Sequence, residues 1–192
     1  FCQSYFTTNI QFQNSCVGET TQFQLGNATA TSAVWNFGDG NTSNSLSPTH
    51  TYSAPGTYTV SVTATSSSGT GVTTRDIIIS AVPTATQPNN ISICDDNNDG
   101  FYNFDLTSRK LTILNGQSES QFNVRYFANP TNYSNNVVIS NPASFQNTIA
   151  YQGQTIIAEV YNVANPNCKT TTTFNIQVFE SPRPSLSVSP IQ

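Results

Sequence analysis

The strongest constraint on the fold is a strict two-residue alternation in residues 56–65. The apolar positions of this run are Tyr58, Val60, Val62 and Ala64, and Thr or Ser stands between them. Successive side chains of a β-strand point to opposite faces. The run therefore predicts a strand with one face against a core and the other in water.

Composition extends this prediction to the whole chain. Thr, Val, Ile, Phe and Tyr suit half-buried strands, Met is absent, and only 8% of the residues are charged. Gly, Pro, Asn and Ser recur at about the 8–12-residue spacing of sandwich turns. The expected fold class is all-β, with two tandem Ig-like β-sandwich domains and one short helix in the second. Further strands are expected at residues 11–13, 21–25, 33–37, 73–80, 122–127, 155–161 and 172–179, and the helix at 106–114 with Thr107 as its N-cap.

Proline-rich segments separate the expected domains. Residues 83–90 contain two prolines and no charge, which is typical of a semi-rigid connector. We expect a first sandwich at 1–82, the linker at 83–90 and a second sandwich at 91–180. Residues 181–192 are interpreted as a further linker or the start of another repeat. This organisation resembles a section of a serial array, and neighbouring repeats of one long chain are the expected partners.

The charge content excludes several classes of partner. Six Lys and Arg residues, in a chain with a formal net charge of -4, cannot neutralise a phosphate backbone, so a nucleic-acid partner is not expected. No apolar run approaches the roughly 20 residues that cross a bilayer, so this segment is not expected to insert into a membrane.

Four cysteines without a C-x-x-C pair favour two disulfides and an extracellular location. Three pairings of Cys2, Cys16, Cys94 and Cys168 are open, and four reduced thiols are the alternative. We expect Cys2–Cys16 and Cys94–Cys168, because each pair then lies within one proposed domain.

A three-block motif in the first half carries a family resemblance. The blocks read W-N-F-G-D-G from residue 35, P-T-H-T-Y from residue 48 and P-G-T-Y-T-V from residue 55. In order and spacing they resemble the PKD domain, with Asn36 where that family usually has Asp. The resemblance covers residues 1–82 and implies a non-catalytic spacer or interaction module. Its structural residues are Trp35, Gly38, Asp39, Gly40, His50 and Tyr52.

These residues also have individual interpretations. We expect Trp35 in the core rather than as a platform for sugars. His50 is expected to be a structural hydrogen-bond partner rather than a catalytic base. Asp39 is expected to stabilise the turn between Gly38 and Gly40 rather than bind a metal.

An acidic loop follows the linker. Residues 95–100 read D-D-N-N-D-G, which matches the first half of a calcium loop. The predicted calcium ligands are Asp95, Asn97, Asp99, the Phe101 carbonyl, and Asn103 or Asp105. The alternative is a solvated acidic turn. Because the ligands include neutral amides, modest affinity of the extracellular kind is expected.

Residues 90–181 resemble a repeat of large surface proteins of gliding Bacteroidetes. Such proteins use type IX secretion and often combine this repeat with PKD domains. The resemblance implies a cell-surface adhesin for gliding or attachment, with a glycan or protein ligand not identified by the sequence. The export or attachment machinery is a further expected partner.

The sequence contains no motif for catalysis, and no enzymatic activity is expected. One His, with no G-x-S-x-G, H-E-x-x-H or Walker loop, excludes many catalytic arrangements. The alternative function is an accessory glycan-binding region of a secreted polysaccharide-degrading enzyme, using the aromatics Tyr126, Tyr133 or Tyr151.

Overall fold

The structure, a computed structural model, describes residues 8–26 and 29–181. It divides into two compact units. The first comprises Phe1–Val82 together with Asn162–Cys168, and the second comprises Pro83–Tyr161 together with Lys169–Gln192. Both are built mainly from strands, and the all-β prediction is confirmed.

Two antiparallel sheets form the first unit. One has the order β1-β2-β5 and the other β4-β3-β6-β7. Aromatic and aliphatic side chains fill its core, among them the fully buried Trp35 and Phe23. The strands are β1 Ile10–Gln13, β2 Thr20–Leu25, β3 Ser32–Asn36, β4 Thr42–Ser43, β5 Thr49–Thr51, β6 Gly56–Ser66 and β7 Gly69–Ile79.

Strand β6 has the predicted two-residue period. Val60, Val62 and Ala64 have no exposed surface, whereas Thr57 and Thr63 on the other face are exposed. Val62 lies opposite Trp35 of β3, so the two strands place their apolar faces on the same core. Strand β7 begins at residue 69, four residues before the predicted start, because it pairs with β6 as far as the hairpin turn.

The second unit combines a four-stranded and a two-stranded sheet. Their orders are β10-β12-β13-β8 and β11-β9, and β8 runs parallel to β13. Its elements are β8 Ile91–Asp95, β9 Asn103–Phe104, α1 Lys110–Leu114, β10 Phe122–Phe127, α2 Pro130–Ser134, β11 Phe145–Gln146, β12 Gln154–Asn162 and β13 Lys169–Glu180, with 3₁₀ turns at Leu106–Arg109 and Pro142–Ser144.

The predicted helix at 106–114 forms, but its N-cap prediction was wrong. Residues Leu106–Arg109 make a 3₁₀ turn that leads into α1. Its N-cap is Asp105, whose carboxylate accepts the backbone N–H of Thr107. A carboxylate placed before the first turn satisfies a free N–H and so takes the capping position. The helix ends where Asn115 adopts left-handed backbone angles, in agreement with the predicted stop.

Residues 83–90 lack regular secondary structure but pack on the second unit. Pro83 and Pro88 are buried. The backbone N–H of Thr86 donates to the Ile113 carbonyl, and Gln117 exchanges two hydrogen bonds with the backbone of Thr84. The segment is therefore held along its length. The predicted C-terminal linker spans residues 181–192, and its residues 182–192 lie outside the described residues.

A buried carboxylate joins three strands of the second unit. Glu159 of β12 has no exposed surface, and its Oε1 lies 2.6 Å from the Arg125 guanidinium of β10. Lys169 of β13 places Nζ 2.8 Å from Oε2, as an ion pair outside hydrogen-bond geometry. The Arg125 guanidinium also lies over the ring of Tyr161, and Lys169 over that of Tyr133. The charge of Glu159 is thus balanced on both oxygens.

Glu159→Gln should destabilise the protein by about 2 kcal/mol, because it leaves two cations without their buried partner. Glu119→Gln is the matched control, since Glu119 pairs with Lys110 in solvent and its loss should cost below about 1 kcal/mol. Urea unfolding of the two variants measures the difference. Equal losses would contradict the assignment of Glu159 as a structural charge.

Candidate functional site

The turn after β3 is held by hydrogen bonds from its own side chains. Asn36 Oδ1 accepts the N–H of Gly38, and Asp39 Oδ1 accepts that of Asn41. Gly38 has φ +82°, and a Cβ there would lie 2.7 Å from the Thr59 carbonyl oxygen. Only glycine fits this close approach.

His50 completes the turn. Its Nε2 lies 2.7 Å from Asp39 Oδ2, and its ring stacks on Phe37 with centroids 4.3 Å apart. Burial raises the pKa of Asp39, but the bonds from His50 and Asn41 outweigh it and lower that pKa below its ordinary value. The Asp39–His50 pair therefore fastens the turn to β5.

The remaining residues of the three-block motif are also engaged by protein atoms. Trp35 Nε1 donates to the Ser45 carbonyl at 2.9 Å, and the buried Tyr52 hydroxyl donates to the Phe37 carbonyl at 3.0 Å. Desolvation raises the pKa of Tyr52 far above its ordinary value. Gly40, with φ +95°, lies in the turn itself.

The acidic loop closes around Asp95. Its Oδ2 accepts the N–H of Gly100 at 2.6 Å and the hydroxyl of Tyr151 at 3.1 Å, and its Oδ1 accepts the N–H of Asn97. Desolvation raises the pKa of Asp95, but these donors outweigh it and the pKa is lowered. A Cβ at Gly100 would lie 2.5 Å from Ala150 Cβ, so the loop packs tightly on that segment.

The predicted calcium ligands are not all brought together. Asp95, Asn97 and Asp99 share the loop, where Asn97 Nδ2 donates to Asp99 Oδ2 and the Phe101 N–H donates to Asp99 Oδ1. By contrast, Asn103 lies in β9 opposite Gln146, and Asp105 caps the 3₁₀ turn. Within residues 8–26 and 29–181, no group of three or more His, Cys, Asp or Glu side chains is arranged for a metal ion.

Sequence reasoning missed the residues of a later segment that support this loop. The buried Asn147 donates to the Gly100 and Ile149 carbonyls and accepts the N–H of Tyr102. Tyr151, considered at first only as a platform for sugars, binds Asp95 instead. Both lie about fifty residues beyond the loop, so local pattern carried no signal for either.

The disulfide predictions were wrong. The structure joins Cys16 to Cys168, with a Cα–Cα distance of 5.4 Å, and Cys94 is a free, exposed thiol. Strand β8 runs parallel to β13 and places Cys94 opposite Phe179, eleven residues beyond Cys168. At about 3.3 Å per residue this separates the two cysteines by about 36 Å, whereas a disulfide needs about 7 Å or less. Cys2 lies outside the described residues.

Asparagine side chains position Cys168. Asn162 donates to the Ala81 carbonyl, and its Oδ1 accepts the N–H groups of Ala164 and Asn165. Asn165 in turn donates to the Ser15 hydroxyl at 3.0 Å, next to Cys16. The turn at 162–168 thereby groups with the first unit, which is why the assumption that each pair lies within one continuous domain failed.

The aromatics proposed for glycan binding are only partly available. Tyr126 is buried, with 2% of its surface exposed, so it cannot act as a platform. Tyr133 is half-buried between Phe127 and Lys169.

Neither described helix has the length and apolarity of a membrane span.

Comparison with known families finds matches to two segments of the chain. Residues 7–80 match the PKD domain, which confirms that part of the resemblance, and residues 90–183 match the Flavobacterium inter-domain disulphide bond domain. The disulfide of this chain has one cysteine in each matched segment. No curated protein matches the chain.

Similar solved structures include PKD domains. The PKD1 domain of Vibrio anguillarum Epp is 27% identical over 38% of this chain and 90% of its own length, with a TM-score of 0.34. The PKD1 domain of the Vibrio cholerae metalloprotease PrtV is 23% identical over 38% and 93%, with a TM-score of 0.33. Fibronectin(III)-like modules of Clostridium thermocellum CbhA are 12% identical over 90% and 95%, with a TM-score of 0.42.

Proposed function

We propose that this chain is a non-catalytic, force-transmitting module of a large extracellular surface adhesin of a bacterium. The observation that carries the proposal is the Cys16–Cys168 disulfide, which spans 152 positions of a 192-residue chain. Disulfides persist in oxidising compartments, which supports an extracellular location. The PKD match and the structural use of Asp39 and His50 support a spacer rather than a catalyst.

The covalent connectivity suits a chain under tension. A pull applied at the two ends passes through the disulfide and bypasses residues 17–167. Unfolding of that segment therefore cannot lengthen the molecule while the bond is intact. In the proposed setting of type IX export and gliding or attachment, such a module holds a distant binding tip at fixed reach.

Single-molecule pulling from the termini tests this proposal. Cys168→Ser should extend further on complete unfolding than the oxidised protein, by about 500–550 Å, because 152 residues at about 3.3–3.6 Å each become free to stretch. Cys94→Ser is the matched control, since it removes the exposed thiol and should leave the shorter extension unchanged. Equal extensions for the oxidised protein and Cys168→Ser would contradict the proposal.

We further propose that the acidic loop binds calcium weakly. Support comes from the D-x-N-x-D-G pattern and from the carboxylate of Asp99, each oxygen of which accepts one hydrogen bond and can accept more. The ligands proposed within the loop are the carboxylates of Asp95 and Asp99, Asn97 and the Phe101 carbonyl. Asp105, which caps the 3₁₀ turn, is left out of this set.

The midpoint of thermal unfolding, compared between about 10 mM calcium and chelator, measures calcium binding at this site. A dissociation constant of about 0.1–1 mM corresponds to about 1.4–2.7 kcal/mol and a midpoint rise of about 3–10 °C. Asp99→Asn should abolish the rise, and Asp96→Asn, an exposed acid of the same loop outside the ligand set, should keep it. An unchanged midpoint in the wild-type protein would remove calcium from the proposal.

A further inference from the structure

A cleft of about 340 Å³ lies beside β11 in the second unit. Its polar lining consists of Asn132, Ser140, Asn141, Ser144, Gln146 and Thr148. We call it the α2–β11 groove. Its volume falls at the lower end of the range for small-molecule sites, with room for one or two sugar rings.

Most polar side chains of the groove have no partner in the protein. Among residues 8–26 and 29–181, no hydrogen bond is made to the side chain of Asn132, Ser140, Asn141, Ser144 or Gln146. Asn129 and Asn147, which neighbour lining residues in the sequence, in contrast both use their side-chain amides within the fold. The groove therefore presents hydrogen-bond donors and acceptors that the other described residues do not use.

The groove is electrically neutral. Residues 128–150 contain no Asp, Glu, Lys, Arg or His. A charged ligand would thus find no counter-charge among the lining residues. Carboxamides and hydroxyls both donate and accept hydrogen bonds, which matches a ligand whose groups do the same. Sugar hydroxyls have this property.

Apolar surface lies next to these polar groups. Val137 and Val138 are 52% and 39% exposed, and Ile139 beside them is half-buried. Adjacent aliphatic side chains suit the C–H face of a sugar ring, while the amides and hydroxyls suit its edge. A peptide added to a sheet edge would instead need a row of free backbone groups. The backbone N–H groups of Val137 and Ile139 already donate to Asn132 and Tyr126 carbonyls.

A buried glutamine fixes the walls of the groove. Gln154, 5% exposed, accepts the N–H of Thr148 at 2.8 Å and donates to the Ala128 carbonyl at 3.2 Å. Both partners belong to the lining. The groove is held in shape without a ligand, which lowers the entropic cost of binding.

We infer that the α2–β11 groove binds a neutral saccharide. The lining of this site includes none of the three tyrosines first considered for glycan binding. The inference assigns a ligand class to the second unit. The saccharide inference goes beyond the proposed mechanical function and does not depend on the disulfide. A result that contradicts the mechanical proposal therefore does not contradict the saccharide inference, and the reverse also holds.

Affinity electrophoresis of the full chain through gels containing laminarin, mannan, dextran or polygalacturonate tests the inference. We expect saturable retardation by at least one of the three neutral polymers and none by the anionic polygalacturonate. Ser144→Trp, which fills the groove, and Asn132→Ala should each weaken binding by about tenfold or more. Gln121→Ala, an exposed glutamine outside the groove, should bind as the wild type does.

Three results would overturn the inference. They are the absence of retardation by every neutral polymer, retardation by polygalacturonate as strong as by any neutral polymer, and binding that survives Ser144→Trp in protein whose thermal midpoint is unchanged. Heteronuclear NMR shifts on adding laminarioligosaccharides or mannooligosaccharides supply the second measurement, and they should map to residues 128–148. Shifts confined to other residues would contradict the assignment.

Discussion

The Cys16–Cys168 disulfide is the constraint on which most of this molecule depends. By closing a loop of 152 residues it removes loop-closure entropy worth about 5 kcal/mol from the unfolded chain in the chain-entropy model. Such a contribution is large beside the 5–15 kcal/mol that stabilises an ordinary domain. Most strands of both units lie inside the closed loop, so one covalent bond restrains almost the whole fold.

In this chain the neutral amide side chains of Asn and Gln make many of the structural contacts that charged side chains make in other proteins. Asn147 supports the acidic loop, Asn162 the turn that carries Cys168, and Gln154 the walls of the groove. Each is buried and makes several hydrogen bonds, so it costs little to desolvate. Glu159 is the exception: it is buried and pairs with Arg125 and Lys169, whose side chains are partly exposed. The structural use of amides is thus one reason why the chain folds with few charged residues.

The regular strands could be predicted because their information is local. The alternation in β6 and the three-block motif around Trp35 and His50 each lie within a short stretch of sequence, and the structure places their apolar residues in the core. Short strands such as β4 and β9, two residues each, have too few positions for a period to appear. Their existence depends on partners elsewhere in the chain.

Features that depend on long-range pairing could not be predicted. The parallel register of β8 on β13 decides that Cys94 is remote from Cys168, and no local pattern encodes that register. Asp105 looked like a loop ligand because it follows the acidic run, but the start of the 3₁₀ turn takes its carboxylate. The sequence also did not predict the groove beside β11, because its residues have the composition of an ordinary polar loop and come together only in the fold.

Peptide mapping of the non-reduced protein by mass spectrometry measures the cysteine connectivity directly. A cross-linked peptide that contains both Cys16 and Cys168, and that separates on reduction, is the expected result. Cross-linked peptides that pair Cys16 with Cys2, or Cys94 with Cys168, would contradict it, and with it the idea that one bond bridges the two matched segments.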